Sequence, residues 1–372
     1  MSYLGKEIKK LGFGLMRLPQ KDGKTDIAEA KKMVDMFMEA GFTYFDTARI
    51  YGDNEIVTKE ILVDRYSRES FQLATKLAAW VNCKTKEDAI LQFETSLKNT
   101  GAGYFDYYLL HNLGGNRTKF YEDFDLWNWA MEKKKEGLIK HFGFSAHCTP
   151  EELDEILTNH PEAEFVQLQI NYADWDYAQI QSRRCYEVAR AHKKPVIIME
   201  PVKGGMLANP PKALEDVLKT AEPHMSPSSW AIRFAADLDG VITVLSGMST
   251  IEQMQDNLSY MKDFSHLTSL QKETLSKAQK IISETPQIPC TNCDYCAKVC
   301  PVNIGISGSF TGMNYLTLYD DMKKAKDHIE WLTTTRGFKH PKECIKCGKC
   351  EEACPQHISI RKELENVANA IK

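Results

Sequence analysis

The same cysteine pattern occurs twice in the last quarter of the sequence, and this repeat constrains the chain more than any other feature. Each copy reads C-x2-C-x2-C-x3-C-P. The cysteines are Cys290, Cys293, Cys296 and Cys300 in the first copy, and Cys344, Cys347, Cys350 and Cys354 in the second. Four soft thiolates in each copy suit iron–sulfur clusters or zinc. The repeat therefore predicts a small metal-bound domain at this end of the chain.

The spacing resembles that of bacterial-type ferredoxins, and the resemblance implies two [4Fe-4S] clusters in an α-rich domain. In that family the fourth cysteine of each copy ligates the other cluster. The implied sets are Cys290, Cys293, Cys296 and Cys354 for one cluster, and Cys344, Cys347, Cys350 and Cys300 for the other. The alternative is a pair of zinc sites, although zinc sites usually combine C-x2-C with a distant second pair. We expect clusters that conduct electrons.

Composition and charge exclude several other classes of protein. The 372 residues suffice for one large and one small domain, and 43% hydrophobic with 26% charged residues is typical of a globular protein. A net charge of −4 gives no reason to expect nucleic acid or a membrane surface as partner. Residues 1–10 are polar and lack a secretion signal. The scattered Cys83, Cys148 and Cys185 fit no disulfide framework, so we expect a cytoplasmic protein.

Short apolar runs alternate with amphipathic stretches over the first 250 residues or so, as a (β/α)8 barrel requires. The eight runs are Leu11–Met16, Tyr44–Thr47, Phe71–Leu77, Phe105–His111, Ile139–Ser145, Phe165–Asn171, Pro195–Pro201 and Val241–Gly247. A doubly wound open sheet is the alternative, but Arg17 stands where the third glycine of a dinucleotide-binding turn would fall. We predict a TIM barrel over residues 1–265, a helix and linker over 266–286, and the ferredoxin-like domain over 287–372.

Four polar residues end predicted strands or follow them directly: Asp46, Tyr51, Lys76 and His111. Barrel enzymes place catalytic groups at such strand ends. A free tyrosine titrates near pH 10, and a neighbouring lysine cation lowers the pKa of its hydroxyl. Asp46 would hold Lys76, Tyr51 would protonate a carbonyl oxygen as hydride reaches the carbon, and a neutral His111 would orient that carbonyl.

Residues 45–52 read F-D-T-A-R-I-Y-G and resemble the D-T-A-x-x-Y-G signature of the aldo-keto reductase superfamily. Lys76 and His111 follow in the expected order, and the resemblance covers about residues 8–263. With its cysteine repeat, the chain is most similar to the branch with a ferredoxin-like tail. The resemblance implies an oxidoreductase that acts on a carbonyl/alcohol pair with a nicotinamide cofactor.

The resemblance also implies where the nicotinamide lies. Its carboxamide would contact Ser145 and, on the next strand, Gln169 and Asn171. Alanine stands at position 146, where the family usually has asparagine, and His147 would replace that hydrogen bond. Met199 takes the place of a stacking tyrosine.

The adenosine end of the cofactor would contact Asn257. Gly247 and Gln253 stand where many members of the family carry a lysine and an arginine for the 2′-phosphate. The expected cofactor is therefore NADPH or NADH. The sequence names no substrate beyond a small-molecule carbonyl or alcohol.

These features predict a cytoplasmic oxidoreductase whose carbonyl chemistry is coupled to electron transfer through two [4Fe-4S] clusters. A hydride carries two electrons and a cluster one, so a flavin, a radical or a redox partner protein such as ferredoxin or flavodoxin must intervene. Two alternatives stay open. The first is an electron-transfer or sensing module whose barrel is a docking scaffold. The second is a cluster-fed reductase that does not use nicotinamide.

Overall fold

Eight parallel strands form a closed barrel in the computed structural model, which describes Leu4, residues 8–178 and residues 180–371. The strands are β1 (Leu11–Gly14), β2 (Gln20–Lys21), β3 (Lys24–Thr25), β4 (Tyr44–Asp46), β5 (Gln72–Leu77), β6 (Phe105–Leu113), β7 (Ile139–Ala146), β8 (Phe165–Gln169), β9 (Val196–Met199) and β10 (Val241–Ser246). Strands β4 to β10 lie side by side in chain order, and β1 closes the ring between β4 and β10. The short β2 and β3 pair with each other as an antiparallel hairpin. The predicted barrel is confirmed.

Helices follow the barrel strands and fill the C-terminal region. They are α1 (Ile27–Glu39), α2 (Asn54–Thr58), α3 (Lys86–Thr100), α4 (Thr118–Asp123), α5 (Leu126–Lys135), α6 (Pro150–Asn159), α7 (Ser182–Ala191), α8 (Lys212–Ala221), α9 (Pro227–Ala236), α10 (Ile251–Met261), α11 (Ser269–Glu284), α12 (Tyr295–Lys298), α13 (Ile306–Tyr319), α14 (Met322–Thr334), α15 (Lys349–Glu352) and α16 (Ile360–Ala370). Side-chain caps begin several of them, as where Thr85 and Asp88 form a reciprocal capping box at the start of α3. Within the described ranges, every helix falls short of the length or the hydropathy that a bilayer span requires.

The outer surface of the barrel packs on its helices through aromatic side chains. Helix α1 buries Ala30, Met33, Val34 and Phe37, which lie on one face at intervals of three and four residues. The Phe37 ring lies 5.2 Å from the ring of Phe45 on β4 and meets it edge-on. Such contacts fix which side of each strand faces the helices.

Side chains alternate between the two faces of each strand, and this alternation places the polar residues at the strand ends inside the barrel. An interior cluster includes Tyr44 on β4, Ala74 on β5 and Tyr107 and Leu109 on β6. Side chains two positions apart share a face of a strand. Asp46, Lys76 and His111 each follow a cluster residue by two positions, so they continue the interior face at the carboxyl ends of β4, β5 and β6.

The chain forms two compact units. The barrel unit contains residues 1–176, 181–201 and 228–267, and the cysteine unit contains 177–180, 202–227 and 268–372. The predicted division at 265/266 and 286/287 stays a prediction, but it did not anticipate that residues 202–227 join the C-terminal unit. The polar residues 1–10, expected to carry no secretion signal, lie largely outside the described residues.

The cysteine unit has its own apolar core. Helix α13 contributes Ile306 and Phe310, helix α14 contributes Ile329, and helix α16 contributes Ile360 and Leu364, all buried. Helices α13 and α14 come close together at Gly312 and Ile329. A Cβ at Gly312 would lie only 3.0 Å from Ile329 Cδ1, so the absence of a side chain at Gly312 leaves room for Ile329. The segment between the cysteine copies forms two long helices, α13 and α14.

Candidate active site and cysteine quartets

A buried lysine–aspartate pair lies at the carboxyl ends of β4 and β5. Lys76 Nζ donates to Asp46 Oδ1 at 2.5 Å and to the Thr47 carbonyl oxygen at 2.8 Å. The Lys76 side chain is 0% exposed. Burial raises the pKa of Asp46 and lowers the pKa of Lys76, and in each case the charge of the partner opposes the effect of burial. The charge of each residue thus favours the charged form of the other, against the effect of burial.

Tyr51 and His111 lie beside this pair. Lys76 Nζ is 5.3 Å from the centroid of the Tyr51 ring, and the Tyr51 and His111 rings meet edge-on with their centroids 5.8 Å apart. The structure therefore brings the four predicted catalytic residues together. Their catalytic roles remain a prediction.

The backbone at His111 is held by two side-chain donors that sequence reasoning missed. Trp80 Nε1 and Tyr121 OH donate to the His111 carbonyl oxygen at 3.0 and 2.5 Å. Both come from segments that follow β5 and β6, so no pattern near His111 in the chain indicates them. They hold the backbone of β6 in place at His111.

Asn112 is the second residue that the sequence did not single out. Its backbone N–H donates to Ser145 Oγ at 2.8 Å, which joins β6 to the predicted cofactor residue on β7. Asn112 is 1% exposed, has a left-handed φ of 62°, and neither polar atom of its amide has a hydrogen-bond partner among the described residues. A buried amide without partners is costly unless a ligand satisfies it. Asparagine tolerates a left-handed backbone better than most residues. The asparagine itself was therefore the only sign of this position in the sequence.

The predicted cofactor residues Gln169 and Asn171 converge on Asp174. Both side-chain amides donate to Asp174 Oδ2 at 2.8 Å, and Asn171 also accepts from the Asp174 backbone N–H and donates to the Glu200 carbonyl oxygen. Asp174 is 0% exposed. The Asn171 amide is thereby committed to holding the loop after β8.

The remaining predicted cofactor residues differ in what they contact. Met199 on β9 accepts from Gln167 Nε2 at 3.5 Å, and Asn257 on α10 accepts from Ser246 Oγ at 2.7 Å. Gly247 is exposed, and a Cβ there would lie 3.9 Å from the side chain of Arg17. Arg17 is thus a cation near the place where the sequence lacks one. His147 is half-buried after β7, and its backbone N–H donates to the Leu113 carbonyl oxygen.

The cysteines gather into two groups of four, each lining a cavity. One cavity is lined by Cys290, Cys293, Cys296 and Cys354, and the other by Cys300, Cys344, Cys347 and Cys350. Each group combines three cysteines of one copy with the fourth of the other copy. This is the crossed grouping that the ferredoxin resemblance implied.

The chemistry of these cavities fits iron–sulfur clusters. Backbone N–H groups of Asn292 and Ile304 donate to the sulfurs of Cys290 and Cys300 at 3.4 and 3.5 Å, and such bonds tune bound clusters. Burial raises the pKa of Cys290 to about 12, so its thiolate needs a bound cation to form at neutral pH. Among the described residues, no three His, Cys, Asp or Glu side chains lie close enough to hold a single metal ion.

Comparison with known proteins agrees with these features. The model of the aldo/keto reductase family matches residues 10–280, and that of a 4Fe-4S dicluster domain matches residues 289–359. An aldo-keto reductase of Mycobacterium sp. (strain MCS) is 32% identical over 140 residues, which cover 37% of this chain and 45% of that protein. The uncharacterized oxidoreductase YqkF of Bacillus subtilis (strain 168) is 24% identical over 289 residues, covering 68% of this chain and 87% of that protein.

Solved structures show the same fold at low identity. The holo form of aldo-keto reductase AKR11C1 from Bacillus halodurans has a TM-score of 0.60 and 24% identity, covering 74% of this chain and 95% of its own. An aldo/keto reductase from Klebsiella pneumoniae in complex with NADP and acetate has a TM-score of 0.58 and 18% identity, covering 76% and 93%. The chain spans less than half the length of the mycobacterial relatives that it matches.

The closed ring of eight parallel strands defines a TIM-barrel protein. The chain belongs to the aldo/keto reductase family, and a 4Fe-4S dicluster domain follows its barrel in the sequence.

Proposed function

We propose that this protein interconverts a small-molecule carbonyl and its alcohol with NADPH or NADH, and that its cysteine quartets hold two [4Fe-4S] clusters that exchange electrons with a redox partner protein. The observation that carries the proposal is the buried Lys76–Asp46 pair with Tyr51 and His111 beside it. A buried ion pair at the ends of two adjacent barrel strands, against a tyrosine ring, is an arrangement that a purely structural barrel does not need.

Each of the four side chains has a distinct role in the proposed reaction. When bound, the nicotinamide supplies the hydride that reaches the carbonyl carbon. Tyr51 donates its proton to the carbonyl oxygen, and the Lys76 cation stabilises the phenolate that Tyr51 leaves. Asp46 and the Thr47 carbonyl hold the ammonium group of Lys76 in place. His111 donates a hydrogen bond that orients the carbonyl and stabilises the charge developing on its oxygen.

Several residues would hold the nicotinamide end of the cofactor. Ser145 Oγ accepts from the Asn112 N–H and keeps its own proton for a ligand acceptor. Gln169 and His147 are the other predicted contacts, and the unpartnered amide of Asn112 supplies both a donor and an acceptor for the same region. The NADP complex of the Klebsiella pneumoniae enzyme supports a nicotinamide cofactor. Arg17 near Gly247 places a cation on the side where the 2′-phosphate of NADPH would lie.

The cysteine quartets add one-electron chemistry to this hydride chemistry. The eight sulfurs lie in two groups that match a dicluster arrangement. Because a hydride carries two electrons and a cluster one, we propose that a carrier protein or a flavin links the two reactions. Oxygen-sensitive clusters and the three further free cysteines, Cys83, Cys148 and Cys185, favour a reducing, cytoplasmic setting.

The experiment compares Tyr51→Phe with Tyr104→Phe in anaerobically purified protein. A panel of aldehydes and ketones is reduced with NADPH and with NADH. We expect Tyr51→Phe to lower kcat at least about a hundredfold, because the proton donor is lost, and Tyr104→Phe to leave it within about twofold. Equal activity of the two variants would show that Tyr51 is not the proton donor.

A cluster-fed reductase that does not use nicotinamide is the second candidate. It is favoured by the amides of Asn171 and Asn257, which already have hydrogen-bond partners within the protein. Fluorescence titration with NADPH and NADH separates the two candidates. Saturable binding of either nucleotide supports the nicotinamide-dependent enzyme. If neither nucleotide binds, the cluster-fed reductase is supported.

A further inference from the structure

The two cysteine loops differ in exposure and in charge. The first loop, residues 290–296, carries Asn292 and Asp294 and no basic residue. The second loop, defined here as residues 342–349, carries Lys342, Lys346 and Lys349. We propose that the second loop is a docking surface for a small acidic electron-carrier protein. This inference rests on the proposed function only in assuming that the cysteine quartets hold clusters.

The second loop presents an apolar side chain and a cluster cysteine to solvent. Ile345 is 63% exposed, which makes it one of the most exposed large apolar side chains among the described residues. Of the eight quartet cysteines, all of which are described, Cys347 alone is exposed. A carrier seated on Ile345 would therefore contact the loop next to a cluster ligand.

Lysines surround Ile345 on both sides in the chain. Lys342, Lys346 and Lys349 are all exposed. Lys346 Nζ lies 3.4 Å from Glu365 Oε2, whereas Lys342 and Lys349 form no ion pair with any described residue. The single acid of the loop, Glu343, caps the preceding turn by accepting from the His340 N–H. An apolar centre with free cations at its rim is suited to a partner with an apolar contact and an acidic rim.

The first loop is partly covered by its own unit, although Asn292 and Asp294 are exposed. Thr291, in the middle of the loop, is 1% exposed. A Cβ at Gly204 would lie 2.5 Å from the Thr291 carbonyl oxygen, so the turn Lys203–Gly205 packs directly on this loop. Asp294 is occupied by a hydrogen bond from Ser307 Oγ. Of the two loops, only the second combines exposed lysines with an exposed apolar side chain and an exposed quartet cysteine.

The test measures binding of the anaerobic, cluster-loaded protein to an acidic bacterial two-cluster ferredoxin by calorimetry. The variants are Lys342→Glu with Lys349→Glu, and separately Ile345→Ser. Lys323→Glu with Lys326→Glu on helix α14 is the matched control, since it makes the same change of charge at exposed positions of the same unit. Iron content and the electron paramagnetic resonance spectrum of each variant verify that the clusters are intact.

We expect saturable binding that weakens steeply between about 50 and about 300 mM salt. The paired charge reversal in the loop should raise Kd at least about tenfold, Ile345→Ser should raise it by a similar factor, and the control pair by less than about threefold. A basic c-type cytochrome should not bind.

Three results would overturn the inference. The first is that the ferredoxin does not bind at low salt. The second is that the loop variant pair and the control variant pair raise Kd equally. The third is that the loop binds something other than an electron carrier. The last appears as binding to anionic phospholipid vesicles in place of the ferredoxin, or as self-association that Ile345→Ser abolishes. Failure of the carbonyl assay with intact ferredoxin binding would count against the proposed barrel chemistry and leave the docking surface in place.

Discussion

Lys76 Nζ lies 2.5 Å from Asp46 Oδ1 at a position where the lysine side chain has no contact with solvent. The two residues come from adjacent parallel strands, and in the register of β4 and β5 Asp46 pairs with Ala74, two positions before Lys76. The ion pair therefore tilts along the barrel interior towards the carboxyl end of β5. Its stability and its chemistry should respond differently to mutation.

Removal of one partner from this pair should destabilise the barrel unit more than removal of both. Asp46→Asn leaves a buried lysine without its counter-charge, and we expect a loss of about 3 to 5 kcal/mol in the free energy of unfolding. Asp46→Leu with Lys76→Met should recover most of that loss. Urea unfolding followed by tryptophan fluorescence measures both. A double variant as unstable as Asp46→Asn would contradict the view that the unpaired charge is the cause, and neither variant should reduce carbonyls.

The crossed grouping of the cysteines makes opposite predictions for two double variants. Cys290→Ser with Cys354→Ser removes two ligands from one quartet and should halve the iron content of anaerobically reconstituted protein. Cys290→Ser with Cys300→Ser removes one ligand from each quartet and should impair both clusters. Iron analysis and the visible absorption of the clusters distinguish the outcomes. If each copy instead held its own cluster, the two variants would exchange their results.

Gly204 and Gly205 separate the effect of backbone conformation from that of close packing. Both have positive φ, 65° and 97°, but only Gly204 would place a Cβ against the Thr291 backbone; no atom lies within 4 Å of a Cβ at Gly205. Alanine at either position costs about 1 to 2 kcal/mol of backbone strain. Gly204→Ala should in addition displace the first cysteine loop and lower the retention of iron during gel filtration. Equal iron retention in the two variants would show that the contact is not needed to hold the loop.

Glu164, at the start of β8, should make the barrel unit sensitive to acid. Burial alone raises its pKa, but hydrogen bonds with His141, Lys134 and the Phe142 N–H outweigh burial and hold the pKa of Glu164 at about 2. Because this value lies below the 4.5 of an ordinary glutamate, its stabilisation is fully present above pH 4.5 and is lost as the pH falls from about 5 to about 2. The difference corresponds to roughly 3 kcal/mol.

Glu164→Gln tests this pH dependence. At pH 7 the variant should unfold at a lower urea concentration than the unmodified protein, and the gap should close as the pH approaches 2. Glu94→Gln, at an exposed position on α3, is the control and should show no gap at any pH. A gap for Glu164→Gln that stays constant from pH 7 to pH 3 would mean that the carboxylate is not the source.

The sequence was sufficient for features that depend on local patterns. The alternation of apolar runs and amphipathic stretches predicted the barrel, and the ends of the predicted strands indicated where Asp46, Lys76 and His111 lie. The ends of the strands were predicted less accurately. Leu15–Arg17 forms a 3-10 turn, although the first apolar run was expected to continue to Met16. A sharp turn after Gly14 ends β1, and no apolar pattern signals it.

Features that depend on contacts between distant segments were out of reach. The Asn112–Ser145 hydrogen bond, the Asp174 carboxylate that holds Gln169 and Asn171, and the packing of Gly204 on Thr291 each join residues whose proximity exists only in the folded chain. The sequence shows a glycine or an asparagine at these places, but many turns would account for either residue. Only the fold identifies which contact requires them.

The assembly of the cysteine unit from three separate stretches of chain limits how such a protein could have arisen or be re-engineered. A gene fragment for residues 268–372 alone would omit residues 202–227, which belong to the same compact unit. Transplanting the cysteine unit onto another barrel would therefore mean replacing the connection after β9 together with the C-terminal segment. The cysteine unit is therefore not a segment that can be separated from the chain by a single cut.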